Sequence, residues 1–88
     1  MNKLGDLSCN EFLTELASAA PAPGGGGGAA MAGALAAALA SMVANLTIGK
    51  EKFADREPEV KELLEQAEAE RVRLLTLVDE DAAYSTAL

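Results

Sequence analysis

Chemistry on this chain of 88 residues has few places to sit. It has no histidine and one cysteine, Cys9, which excludes a zinc site, a histidine-based triad and an intrachain disulfide framework, so no metal site is expected. Carboxylates, amides, hydroxyls and backbone N–H groups remain. Helical periodicity puts Val60, Leu64, Ala67, Arg71, Leu74, Val78, Asp81 and Ser85 on one seam. Of the acids in Asp79-Glu80-Asp81, Asp81 is therefore the one held against apolar neighbours, with Glu80 on the opposite face. A carboxylate there either finds a partner on another element or is held neutral, and the neutral state suits general acid–base work. If instead the helix frays before it, Asp81 is solvated. Arg71 cannot be its partner within the helix, because ten residues rise about 15 Å.

Two further stretches carry polar potential. Gly24–Gly28 precedes an alanine-rich segment, and a glycine run before a helix exposes N–H groups that can hold an anion. It is neither a Walker loop, since no Gly-Lys-Ser/Thr follows, nor a dinucleotide fingerprint, since no strand precedes it. A flexible hinge between helices is the competing reading of the same run. Asn45 and Thr47 are polar groups late in an apolar helix. They either bond to nearby backbone carbonyls or line a polar cleft.

Three helices must position these groups. Ser8-Cys9-Asn10-Glu11 has the form of a capping box, opening a helix over about residues 9–19 that Pro21 and Pro23 end. From Ala29 to Ile48 the chain holds nine alanines and no charge, with Gly49 as its stop and Lys50 and Lys52 beyond it. Such a helix is apolar all round, which predicts burial on every side. A third helix starts at Glu57-Pro58 and runs to the end of the chain. No strand pattern occurs, so the fold class is all-α: an antiparallel bundle of three helices. The core is rich in alanine and thin for a monomer of this size, which predicts completion by dimerisation.

Composition narrows the partners. A net charge of −7, with no basic cluster, argues against nucleic acid. Residues 29–48 are long enough to cross a bilayer, but alanine is only marginally hydrophobic. Ser41, Asn45 and Thr47 add polar cost, and no aromatic belt flanks the segment, so a soluble bundle is favoured over a membrane. The lone cysteine and the absence of a secretory leader pattern fit the cytoplasm.

Three motifs then occur in order. Leu16-Ala17-Ser18 leads to Pro21-Ala22-Pro23-Gly24-Gly25-Gly26, followed by Ala44-Asn45-Leu46-Thr47-Ile48-Gly49-Lys50 and Asp79-Glu80-Asp81-Ala82-Ala83-Tyr84. Together they resemble the signature of the formiminotransferase-cyclodeaminase C-terminal family, which includes methenyltetrahydrofolate cyclohydrolases and formiminotetrahydrofolate cyclodeaminases. The resemblance covers essentially the whole chain and reads residues 1–88 as the N-terminal portion of a longer helical domain. It implies a homodimeric one-carbon enzyme that takes a tetrahydrofolate derivative as substrate and needs no bound cofactor. By the same resemblance Asp81 is the catalytic acid. Pro23, Gly24, Gly25, Gly26, Asn45 and Thr47 shape the folate cleft, Lys50 meets the glutamate tail, and Tyr84 stacks on the pterin. The family usually has serine after its three glycines, where this chain has Gly27 and Gly28. The alternative is a non-catalytic helical module that self-associates through the small residues of its central helix.

Overall fold

The computed structural model describes the backbone of residues 3–87 and the side chains of residues 3–82. A 3₁₀ turn at Leu4–Asp6 precedes helix α1 (Cys9–Ala17). Helix α2 (Gly25–Thr47) follows, then a 3₁₀ segment at Glu51–Arg56 and helix α3 (Glu57–Ala87). No strand occurs among the described residues, and the all-α expectation holds.

Local chemistry accounts for the boundaries. Ser8 Oγ accepts from the Glu11 N–H, and Glu11 Oε1 accepts from the Ser8 N–H, so the capping box at the start of α1 forms as expected. Those bonds hold the Glu11 carboxyl below its ordinary range, the backbone donor contributing most. Helix α1 ends at Ala17, two residues before the expected stop, because Ser18 turns extended and its hydroxyl donates to the Glu15 carbonyl. Gly49 closes the α2 end at φ 87°, a left-handed conformation suited to glycine, and its N–H donates to Glu57 Oε1.

Two expectations are corrected. The glycine run is not a hinge: α2 starts at Gly25, so Gly25–Gly28 form its first turn and only Gly24 lies outside, as the N-cap. Nor is α2 buried on every side. Leu35, Leu39, Met42, Val43 and Leu46 are each at least half exposed. With extents of 51 × 21 × 20 Å, the molecule is about as long as α3 and only two helices thick over much of that length. By length and composition α2 could cross a membrane, and 22% of its most apolar window is buried.

Helices α2 and α3 lie antiparallel along a seam of heptad spacing. Gly27, Ala30, Ala34, Ser41 and Ala44 are the buried residues of α2. Gly33 lies beneath Leu74, and a Cβ there would come within 3.1 Å of Leu74 Cδ1. Close approach at Gly33 thus serves packing within the chain. The true core is local: Phe12, Ala30 and Val78 meet where α1 covers one end of the pair, joined by Leu4, Leu7, Leu16, Met31 and Leu77.

Candidate functional site

That packed end of the bundle is also where the polar groups converge. Val78 is fully buried, and one turn further along α3 Asp81 reaches across to the first turn of α2. Asp81 Oδ2 accepts from the Gly27 N–H at 2.8 Å. Gly24, the N-cap, has no side chain to satisfy the free N–H groups of the first turn. Asp81 supplies from α3 the acceptor that a serine or aspartate N-cap would normally provide from its own chain position. Of the outcomes open to a carboxylate on this seam, the structure selects pairing with another element.

The glycines of the run differ in what lies over them. A Cβ at Gly26 would lie 2.8 Å from Asp81 Oδ1, and one at Gly27 would lie 3.2 Å from Oδ2 and 3.6 Å from the Pro23 Cβ. At Gly28 it would meet Leu16 Cδ1 at 3.1 Å, the contact by which α1 seats on α2. At Gly25 it would meet nothing within 4 Å. The absence of side chains at 26, 27 and 28 therefore lets Asp81 and Leu16 approach, while Gly25 faces open space. The anion site expected at the glycine run is already filled by the protein's own carboxylate. Nearby, Asp79 Oδ1 accepts from the Gly5 N–H at 3.1 Å, tying the N-terminal 3₁₀ turn to the same stretch of α3.

The structure brings together Pro23, Gly26 and Asp81, with Gly24 and Gly25 adjoining. Asn45, Thr47 and Lys50 lie at the other end of α2, separated from Gly25 by about 30 Å of helix. Thr47 Oγ1 donates to the Val43 carbonyl, the local bond that was one of its two expected options. Asn45 and Lys50 are exposed. The Tyr84 side chain lies outside the described residues. Sequence reasoning held Gly27 only as one N–H of the anion-holding run and missed it as the donor that fixes Asp81. Its heptad spacing from Ala30, Ala34 and Ser41 was the available signal.

A second polar group sits midway along the seam. Ser41 Oγ donates to Glu68 Oε2 at 2.7 Å, and Arg71 holds the same carboxylate through Nε and Nη2, both at 3.0 Å. The Arg71 bonds, and then the Ser41 bond, lower the Glu68 carboxyl to about 2. Arg71 lies on the seam as its spacing indicated, but its partner is Glu68, three residues back. An open groove of about 780 Å³ runs between α2 and α3 away from Asp81. Gly33, Ala37, Ala40, Val60 and Leu63 line it, and Glu70, its one carboxylate, is bonded to Arg73. It offers apolar surface without a free acid or base.

Comparison with known proteins decides the lineage. The profile described as formiminotransferase-cyclodeaminase matches residues 8–88. The chain belongs to this family. A methenyltetrahydrofolate cyclohydrolase of Methylorubrum extorquens is 49% identical over 77 residues, which are 88% of this chain and 37% of that protein. A formimidoyltransferase-cyclodeaminase of Rattus norvegicus is 40% identical over 77 residues, 88% of this chain and 14% of that protein. The corresponding Sus scrofa protein is 39% identical over 71 residues, 81% of this chain and 13% of its own length. The chain thus spans little more than a third of the cyclohydrolase and about a seventh of the mammalian proteins. No solved structure is similar enough to count as a match. The family assignment from Pro23–Gly26, Asn45–Lys50 and Asp79–Tyr84 is borne out.

Proposed function

We propose that this chain carries the acid–base half of a folate one-carbon site, with Asp81 as its proton-transfer group. The observation that carries the proposal is the asymmetric anchoring of that carboxylate. Oδ2 is held by the Gly27 N–H, while Oδ1 accepts no hydrogen bond among the described residues and lies over the bare Cα of Gly26. A carboxylate fixed by one oxygen and open at the other is oriented before substrate arrives.

The relatives' names supply two chemistries for it. In cyclohydrolase chemistry, water adds to the methenyl carbon between N5 and N10 as Oδ1 takes a proton from it. The C–N5 bond then breaks as the same oxygen returns that proton to N5, while the carbinol O–H gives its own proton to solvent as the C=O forms, leaving the 10-formyl form. In cyclodeaminase chemistry, N10 attacks the carbon of the protonated formimino group on N5. Oδ1 moves the N10 proton to the departing nitrogen, which leaves as ammonia, and the methenyl bridge closes. In both, the proton that reaches the departing nitrogen travels through one carboxylate. The higher identity to the cyclohydrolase favours ring opening.

The substrate would rest on the open ledge at Gly24 and Gly25, beside Pro23. Asn45, Thr47 and Lys50 are too far from Asp81 for one folate to span within one chain. A homodimer answers this. The exposed Leu35, Leu39, Met42 and Leu46 form a stripe on α2, and antiparallel apposition of two such stripes would carry the partner's far end of α2 toward Asp81. A reducing cytoplasm suits the exposed thiol of Cys9.

The test is loss of methenyltetrahydrofolate absorbance with purified chain, spontaneous hydrolysis subtracted, beside Asp81→Asn. A rate that scales with protein and vanishes in the variant supports the proposal. An undiminished rate in Asp81→Asn removes Asp81 from the chemistry. The same apolar stripe favours a second reading, a silent self-association module. Stable oligomers with no affinity for folate would establish that one instead.

A further inference from the structure

Ser41 is the buried polar residue of α2, only 5% exposed, and the Asp81 site makes no use of it. Its hydroxyl is spent on Glu68 of the opposing helix, whose other bonds come from Arg71. We propose that Ser41, Glu68 and Arg71 are positioning residues: they lock the register of α3 on α2 and so deliver Asp81 to the Gly27 N–H.

The need for a lock follows from the seam. Its other buried α2 positions, Gly27, Ala30, Ala34 and Ala44, are nearly uniform in size and recur at heptad spacing. A uniform ridge fits the facing groove almost as well after a slide of one turn or one heptad, about 5 or 10 Å. Either slide separates Asp81 from Gly27. Apolar shape offers one mark against it, Leu74 seated over Gly33.

The polar cluster adds a stricter one. A slide of four residues brings Leu64 or Val72 opposite Ser41, and a slide of seven brings Lys61 or Leu75. None of these side chains accepts a hydrogen bond, so the buried hydroxyl would lose its partner across the seam and fall back on a backbone carbonyl of its own helix. Arg71 holds Glu68 with two parallel bonds, which aims the carboxylate at Ser41 and limits its freedom to follow a displaced partner. A single polar position within a heptad seam is the best-attested way in which helices specify register.

The functional weight of this lock rests on the proposed role of Asp81, but its structural content can be tested alone. The experiment is NMR on the isotope-labelled 88-residue chain, reading the Gly33–Leu74 cross-peaks and the response of the Gly27 amide to ionisation of Asp81, with Asp81→Asn as its control. Ser41→Ala and Glu68→Leu should keep their helicity yet lose most of the Gly33–Leu74 intensity and the Gly27 response. Glu68→Gln still accepts from Ser41 and should retain both. Where Glu68→Leu fails to fold, Ser41→Ala, which removes one oxygen, is the deciding variant. Both signals surviving in Ser41→Ala would overturn the lock and leave Gly33–Leu74 as the register mark. A wild-type Gly27 amide indifferent to Asp81 would overturn it too. Turnover separates the two proposals: with Gly27 displaced in Ser41→Ala but folate turnover intact, the lock stands and the role of Asp81 falls.

Discussion

Alanine at Gly25 and alanine at Gly26 should act in opposite directions, although both sit in the first turn of α2 and both replace a poor helix former. The intrinsic gain from either change is about 0.5–1 kcal/mol, because alanine has less chain entropy to lose than glycine. At Gly25 the new methyl meets nothing within 4 Å, so that gain is kept. At Gly26 it falls 2.8 Å from Asp81 Oδ1, closer than carbon and oxygen tolerate. The aspartate side chain is short, so relieving the contact swings Oδ2 away from the Gly27 N–H. A hydrogen bond to a charged group contributes about 1.5–3 kcal/mol, which outweighs the gain. Gly26→Ala should therefore be about 0.5–2.5 kcal/mol less stable than the wild type, and the two variants should differ by about 1.5–3 kcal/mol. With a urea slope of about 1 kcal/mol/M, the midpoints separate by about 1.5–3 M in helicity-monitored unfolding. Repeating the pair in an Asp81→Ala background closes a double-mutant cycle in which the difference should nearly vanish. Equal stabilisation by both alanines, with Asp81 present, would refute the claim that Gly26 is glycine because of Asp81.

Other consequences can be measured alongside. The Glu68 carboxyl is lowered from 4.5 to about 2 in the folded chain, so its contribution is complete above the unfolded value and lost as pH falls through the folded one. Acid unfolding between pH 4.5 and 2 should be steeper in the wild type than in Glu68→Gln. Val78→Ala, at a fully buried position beside Phe12 and Ala30, should cost about 2 kcal/mol in urea unfolding. Gly33→Leu should destabilise the monomer by about 1–3 kcal/mol, since its side chain must displace Leu74 of the same chain. Leu39→Glu, on the exposed stripe, should leave helicity intact and lower the sedimentation-derived oligomer mass.

The family was legible because it resides in short motifs, and motif order is a property of the chain itself. The candidate acid was legible for a different reason. A helix of regular pitch fixes which side chains share a face, so spacing alone put Asp81 and Arg71 on the seam. Composition likewise indicated three helices, since alanine, leucine and the Ser8–Glu11 box state their preferences locally.

What required the tertiary structure was anything set by a second element. Five glycines in succession read as a loop, because each costs a helix about 1 kcal/mol relative to alanine. Packing overrides that local preference: Leu16 and Asp81 come so close to the first turn of α2 that only backbone fits beneath them. The partner of Asp81 lies 54 residues away and that of Ser41 lies 27 away, separations at which periodicity within one helix carries no information. The same distance logic divides the site motifs, placing Gly24–Gly26 with Asp81 and sending Asn45–Lys50 to the far end of α2. Sequence determined which residues can do chemistry and on which helix face they stand. The antiparallel pairing of α2 with α3 decided which of them meet, because register is a relation between two helices and is written in neither one.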